Sequence, residues 1–163
     1  MRNLLIIAFL ANIILTVVSF IILPSEVAIH FGEGGVPNSW ASKEFDALIF
    51  LAIELLLFIL FISAPYLPLR LHRKFISLPN KEYWLKEENR QHMKAKLASL
   101  MAEFGFFLFT FLFCVGLLTI EANLSDPIRL NERIFLPVFI AFMSYTAFWV
   151  VKIVRAFRVP RNA

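Results

Sequence analysis

The stretch from Leu23 to Lys43 collects residues that could bind a metal ion or a phosphate group. His30 with Glu26 or Glu33 would supply two or three ligands of the kinds that hold transition metals. Three glycines in the same stretch could turn backbone amides towards a phosphate. Both interpretations are weak, because the ligands are few, the local charge is acidic and no strand is expected before the glycines. We therefore predict no metal site and no cofactor.

Three polar residues interrupt long apolar runs, where polar side chains are costly and often functional. They are Asn12, Glu54 and Glu103. With Glu54 towards one membrane face and Glu103 towards the other, the two carboxylates could mark a path for protons or cations. The alternative, favoured because few polar relays lie between them, is that each is protonated or hydrogen-bonded to a neighbouring helix. Asn12 and Glu54 lie at depths that would let them meet across the bundle.

The sequence contains no pattern typical of a catalytic site. It lacks H-E-x-x-H, a G-x-x-x-x-G-K-[ST] loop and a serine with an evident His and Asp pair. The phenylalanines of the third apolar run are more typical of packing than of a cofactor site. Cys114 is the single cysteine and has no partner for a disulfide within the chain. We predict a non-enzymatic protein without catalytic residues.

The composition identifies the solvent in which these residues must be positioned. The chain is 60% hydrophobic and 17% charged, against roughly 45–50% and about 25% in soluble domains. Each of four apolar runs approaches or exceeds the roughly 20 residues that cross a bilayer as a helix. The first run is too long for a typical signal peptide. We predict an all-α integral membrane protein, a single membrane domain over residues 1–163, with transmembrane helices at about 4–23, 47–67, 97–120 and 134–151.

The distribution of basic residues predicts the orientation. All but three of the sixteen Lys and Arg residues, Arg161 among them, fall on one side of the predicted bundle. Because the basic side is normally cytoplasmic, both termini and loop 68–96 are expected inside, and loops 24–46 and 121–133 outside. A basic inner face favours contact with anionic lipids rather than with nucleic acid.

The sequence predicts an amphipathic helix over residues 81–96 that continues into the third span, with Asn80 as its N-cap. Its interfacial and basic side chains include Tyr83, Trp84, Lys86 and Arg90. A basic amphipathic helix beside a span usually lies on the membrane surface. The alternative is that the same face contacts a membrane or cytoplasmic protein partner.

The outer loop is expected to be a compact turn at the membrane surface. Pro24 cannot continue the first helix, glycines such as Gly35 permit a tight reversal, and Trp40 suits the headgroup region. The loop also fills a motif at eleven positions. They are Leu23, Pro24, Val27, His30, Phe31, Gly35, Pro37, Asn38, Trp40, Ser42 and Lys43.

In these positions the loop resembles the signature of a bacterial membrane family, domain of unknown function family 1648. A second stretch, Leu78–Leu85, is similar to a segment that many members carry after their second helix. The resemblance implies a multi-pass protein of the bacterial cell membrane. It extends to the front portion of the sporulation-delaying-protein immunity proteins, larger membrane proteins that protect against a toxin and hold a transcriptional repressor at the membrane.

Two functional hypotheses follow. The first is a membrane protein of sensor, immunity or accessory type, in which loop 24–43 contacts a ligand or partner and helix 81–96 contacts lipid or a cytoplasmic partner. The second is a subunit of a transport or other multi-protein membrane complex, with Glu54 and Glu103 handling protons or cations. The identity of the partner and the oligomeric state are left open.

Overall fold

The structure is a computed structural model that describes residues 1–159, so Arg161 lies outside the described range. Four long helices dominate it, and each is long and apolar enough to cross a membrane, as predicted. Two further helices are short. In chain order the helices are α1 (Arg2–Ile22), α2 (Lys43–Ser63), α3 (Leu67–Arg70), α4 (Lys81–Trp84), α5 (Glu87–Leu124) and α6 (Glu132–Ala156).

Helix α5 is the central element of the bundle and packs against α1, α2 and α6. Glycines allow the close approach between α5 and α1. A Cβ at Gly105 would meet the side chains of Leu5 and Phe61, and a Cβ at Gly116 would meet Leu15. Small residues at helix contacts are typical of membrane proteins, where close packing replaces the hydrophobic effect.

Aromatic rings fill the middle of the bundle. Phe9 of α1 stacks on Phe58 of α2, with 4.2 Å between ring centroids. The fully buried ring of Phe109 contacts Phe9 and Phe61 edge-on. Helix α6 lies along the other face of α5, and none of its described side chains is buried. The phenylalanines of the third run thus pack against neighbouring helices.

The prediction of an all-α fold is wrong for the loop between α1 and α2. Strands β1 (Glu26–Phe31) and β2 (Pro37–Ser42) form an antiparallel hairpin, and its tip uses left-handed backbone at Gly34 and Gly35. A strand therefore does precede the glycines. The β-branched and aromatic residues of the loop favour strand, but the pattern was obscured because two register irregularities interrupt its alternation.

The predicted continuous helix over residues 81–96 is also wrong. Helix α4 ends at Trp84, and Lys86 has extended backbone, with φ −63° and ψ 145°. Residues 87–96 instead continue into the third span as one helix of 38 residues. Between α2 and α4, the chain makes two 3₁₀ turns, Ala64–Tyr66 and Arg73–Phe75. The end of the bundle that carries β1, β2 and residues 125–131 is called the hairpin side.

Candidate functional site

The β-hairpin is fixed to the bundle by the side chain of Asn123 on α5. Its Oδ1 accepts a hydrogen bond from the backbone N–H of Ala28 at 2.7 Å. Its Nδ2 donates to the carbonyl oxygens of Ala28, at 3.1 Å, and Thr119, at 3.0 Å. The amide therefore pairs with β1 as a neighbouring strand would, and Val27 and Ala28 of this strand are buried.

The hairpin tip is held by the second loop of the same side. The Nε of Arg129 donates to the carbonyl oxygen of Gly34 at 2.5 Å. Gly35 exchanges bonds with this loop in both directions. Its N–H donates to Oε1 of Glu132 at 3.0 Å, and its carbonyl accepts from the N–H of Leu130 at 2.9 Å. A Cβ at Gly35 would collide with the carbonyl oxygen of Leu130, so the close approach requires glycine.

The exposed surface of the hairpin combines apolar and polar groups. Ile29, Val36 and Trp40 expose 40%, 52% and 46% of their surface. His30 is exposed beside them, and its Nδ1 lies 2.5 Å from Oδ1 of Asn38. Because an amide oxygen can only accept, Nδ1 is the donor in this contact. His30 therefore orients Asn38, and the opposite ring nitrogen, Nε2, is the atom left for a ligand.

The base of the hairpin contains the remaining motif residues. The α1 helix ends before Pro24. Nζ of Lys43 donates to the carbonyl oxygen of Leu23 at 3.4 Å, which joins the two ends of the hairpin. Ser42 caps α2 by accepting from the N–H of Phe45. Phe31 pairs with Pro37 across the strands. Most of the motif thus builds the hairpin, and His30, Asn38 and Trp40 remain on its surface.

The tip does not form a phosphate cradle, because its backbone amides are already bonded and because, as predicted, the local charge is acidic. The N–H of Gly32 donates to the carbonyl oxygen of Val36, and the N–H of Gly35 is shared between the carbonyl oxygen of Gly32 and Oε1 of Glu132. Glu33 and Glu132 add negative charge near them. Among residues 1–159, no group of three His, Cys, Asp or Glu side chains could hold a metal ion.

The buried carboxylate of Glu54 lies beside a small cavity between α1, α2 and α5. Glu54 is 3% exposed, and the cavity has a volume of about 40 Å³. Asn12 lines the same cavity, as its predicted depth suggested. However, the amide nitrogen of Asn12 donates to the carbonyl oxygens of Ala8 and Phe109, each at 2.8 Å, and not to Glu54.

Glu103 has a different environment. Its two oxygens accept from Nζ of Lys152 on α6 at 2.5 and 2.6 Å, and Tyr145 OH lies 3.5 Å away. The ion pair neutralises the carboxylate and ties α5 to α6. Along α5, Glu103 lies about 13 Å from Leu112, which lines the Glu54 cavity. The rings around Phe109 lie between the two levels, so the carboxylates occupy separate environments.

The segment before the third span packs into the protein at the opposite end of the bundle. Trp84 and Leu85 are buried, in a cluster with Met93, Leu97 and Phe157. The expectation that this segment presents its side chains to lipid or a partner is therefore wrong for Trp84. Tyr83 is half-buried and Lys86 is exposed. Arg90 pairs with Glu87 at 2.9 Å.

This segment caps the end of α6. The carbonyl oxygen of Phe157 accepts from Nε1 of Trp84 and Nδ2 of Asn80, both at 2.9 Å. Lys96 donates to the carbonyl of Ala156 at 3.0 Å, and its ammonium lies over the Trp84 ring. Asn80 is the N-cap residue of α4, as predicted, but its backbone is left-handed and its side chain makes no capping bond to α4. These bonds satisfy carbonyls that a helix end leaves unpaired.

Several residues that organise the two ends were not identified from sequence. They are Asn123, Arg129, Glu132 and Lys152. Asn123 had one detectable signal, since it is an amide at the end of an apolar run. Lys152 had another, since it begins the charged tail of the fourth run and could face an acid of the third. Neither feature of the sequence identifies the residue to which the side chain bonds.

Comparison with known families agrees with the loop motif. Residues 7–55 match the family described as Domain of unknown function (DUF1648), which confirms the predicted resemblance. The match covers α1, the hairpin and the first half of α2, and thus includes the cavity residues Asn12 and Glu54. No curated protein and no solved structure matches the chain.

Proposed function

We propose that this chain, which carries a DUF1648 domain at residues 7–55, is a non-enzymatic protein of a bacterial cell membrane that presents its hairpin to a peptide or protein partner outside the cytoplasm. It is of the sensor, immunity or accessory type. The observation that carries the proposal is the fixed hairpin with an exposed face. A binding surface that is already ordered loses less conformational entropy on association.

The shape of the hairpin favours an extended partner. Among residues 1–159, β2 pairs only with β1, so the other edge of β2 can accept an added strand. Trp40 lies on this strand, and its amphipathic ring is of the type enriched in binding sites. His30 and Asn38 place polar groups at the same surface. A peptide strand along β2 would therefore meet both backbone donors and an aromatic side chain.

The orientation in this proposal follows from charge. The opposite end of the bundle carries most of the basic residues, among them Lys86 and Arg90, which would contact anionic lipid headgroups of the inner leaflet. Two single-cysteine variants test this, each in a Cys114→Ser background. Glu33→Cys at the hairpin tip should react with a membrane-impermeant maleimide in intact cells, and Glu88→Cys only after lysis. The reverse pattern would contradict the orientation.

Photo-crosslinking tests the binding function. A photoreactive phenylalanine analogue at Trp40 or Val36 should give a discrete protein or peptide adduct in intact cells. The same group at Phe148, an exposed residue of α6, is the control and should give lipid adducts. Adding His30→Ala should weaken the Trp40 adduct, because Asn38 loses the group that orients it. Equal adducts from Trp40 and Phe148, or no discrete adduct from the hairpin, would exclude the proposed surface.

A further inference from the structure

We propose that the Glu54 cavity is a binding site for one small monovalent cation, of which sodium is the natural probe. The site lies between α1, α2 and α5 and is independent of any partner at the hairpin. Its polar lining consists of Asn12, Thr16, Ser19, Asp46, Glu54 and Thr119.

An unpaired carboxylate oxygen is the first observation behind this site. Glu54 is 3% exposed, and none of the described residues 1–159 donates a hydrogen bond to its Oε2. The cavity lining contains no Lys, Arg or His among those residues. A buried carboxylate without a partner is costly in a medium of low dielectric constant. It must either carry a proton or be neutralised by a cation from solution.

The orientation of the neighbouring polar groups favours a cation. Asn12 uses its Nδ2 for the carbonyls of Ala8 and Phe109, so its carbonyl oxygen is the atom left for the cavity. Ser19 donates its hydroxyl hydrogen to the carbonyl of Thr16, which leaves an oxygen lone pair. The Thr16 side chain lines the same cavity as Glu54 and adds a hydroxyl oxygen. The lining therefore offers oxygen acceptors, the ligands that hard cations prefer.

The size and charge of the cavity select a monovalent ion. A volume of about 40 Å³ holds one ion with a water molecule or two. Glu54 supplies a single negative charge at the deep end. Asp46 is eight residues earlier on α2, about 12 Å along the helix axis, and cannot share an ion with it directly. Calcium usually takes six to eight oxygen ligands, often several carboxylates, and magnesium demands an octahedron; neither suits this lining.

The cavity is a blind pocket that faces the hairpin side. Asp46 and Leu23 line it at the ends of α2 and α1 next to the hairpin, so an ion would enter past the Asp46 carboxylate. At the other end, the rings of Phe9, Phe58 and Phe109 close the bundle below Asn12. A bound ion would therefore join α1, α2 and α5 rather than cross the membrane.

Sodium binding to the purified protein in detergent or nanodiscs tests the site. We expect saturable binding of radiolabelled sodium, one ion per chain. We also expect the melting temperature to rise by a few degrees when sodium replaces N-methyl-D-glucamine at constant ionic strength and fixed, mildly alkaline pH, because a ligand of the folded state stabilises it. Glu54→Gln should abolish both effects, and Thr16→Val should weaken the affinity several-fold.

Glu44→Gln is the matched control, since Glu44 is exposed in the first turn of the same helix and does not line the cavity. It should bind sodium as the wild type does. Thr16→Val removes a hydroxyl while keeping the side-chain volume, so the test survives if Glu54→Gln folds poorly. No sodium effect on the wild-type protein would overturn the proposal and assign a proton to Glu54. A sodium effect retained in both Glu54→Gln and Thr16→Val would place the ion elsewhere and overturn it equally.

Discussion

Glu54 and Glu103 are both acids within membrane-spanning helices, yet the fold treats them in opposite ways. Glu103 meets Lys152 at 2.5 Å across the contact between α5 and α6. Glu54 meets no cation of the described chain and lies against a cavity that apolar and oxygen-bearing side chains line together. One carboxylate is neutralised by the protein, and the other depends on a proton or an ion from solution. A carboxylate inside a membrane helix is therefore a structural element or a site according to what the neighbouring helix supplies.

The largest loss of stability should come from breaking the ion pair between Glu103 and Lys152. Lys152→Met keeps most of the side-chain volume and leaves Glu103 without its cation. Breaking a buried pair costs about 3–5 kcal/mol, but Lys152 is 39% exposed, so we expect about 2–3 kcal/mol of lost stability, because partial exposure weakens the pair. Unfolding in a denaturing detergent measures this loss.

A second variant controls for the packing at Lys152. Glu103→Gln combined with Lys152→Met removes both charges and should recover more than half of the lost stability, because no unpaired charge is left. If the double variant is as unstable as Lys152→Met, the effect comes from packing of α6, and the contrast with Glu54 is smaller than we infer.

The next largest loss of stability should come from Asn12, whose side-chain amide lines the Glu54 cavity. Asn12→Ala removes two hydrogen bonds, to the carbonyls of Ala8 and Phe109, and leaves the Phe109 carbonyl without that donor. Each such bond contributes about 0.5–1.5 kcal/mol, so we expect a loss of about 1–2 kcal/mol. Asn12→Asp is the informative companion, because a second carboxylate beside Glu54 should make stability more dependent on sodium. Stability of Asn12→Asp that is independent of sodium would count against the cavity as a cation site.

The sequence locates both carboxylates but not their partners. Four apolar runs predict the four helices, since length and hydropathy are sufficient for that purpose. The partner of Glu103 depends on the rotation of α6 about its axis, and Lys152 lies at the edge of a run that contains no other charge. The cavity beside Glu54 depends on the close packing of α1 against Gly116, which periodicity does not report.

The position of the hairpin on the bundle could not be predicted from the sequence either. Its docking rests on bonds between residues about 95 positions apart, Ala28 with Asn123 and Gly34 with Arg129. Local patterns carry no information about such pairs. The loop motif could be identified as a family signature, but its physical meaning appears only when Gly35 is seen against the carbonyl of Leu130.

The smallest effect should come from Tyr145, the second polar group near Glu103. Its hydroxyl lies 3.5 Å from Oε1, at the limit of a hydrogen bond, while Lys152 already binds both oxygens. Tyr145→Phe should therefore change the free energy of unfolding by less than about 0.5 kcal/mol. The same substitution made together with Lys152→Met should cost more, because Tyr145 would then be the remaining donor to the carboxylate. Equal costs in the two backgrounds, measured as a double-mutant cycle, would show that Tyr145 and Lys152 do not share Glu103, and the neutralisation would belong to the lysine alone.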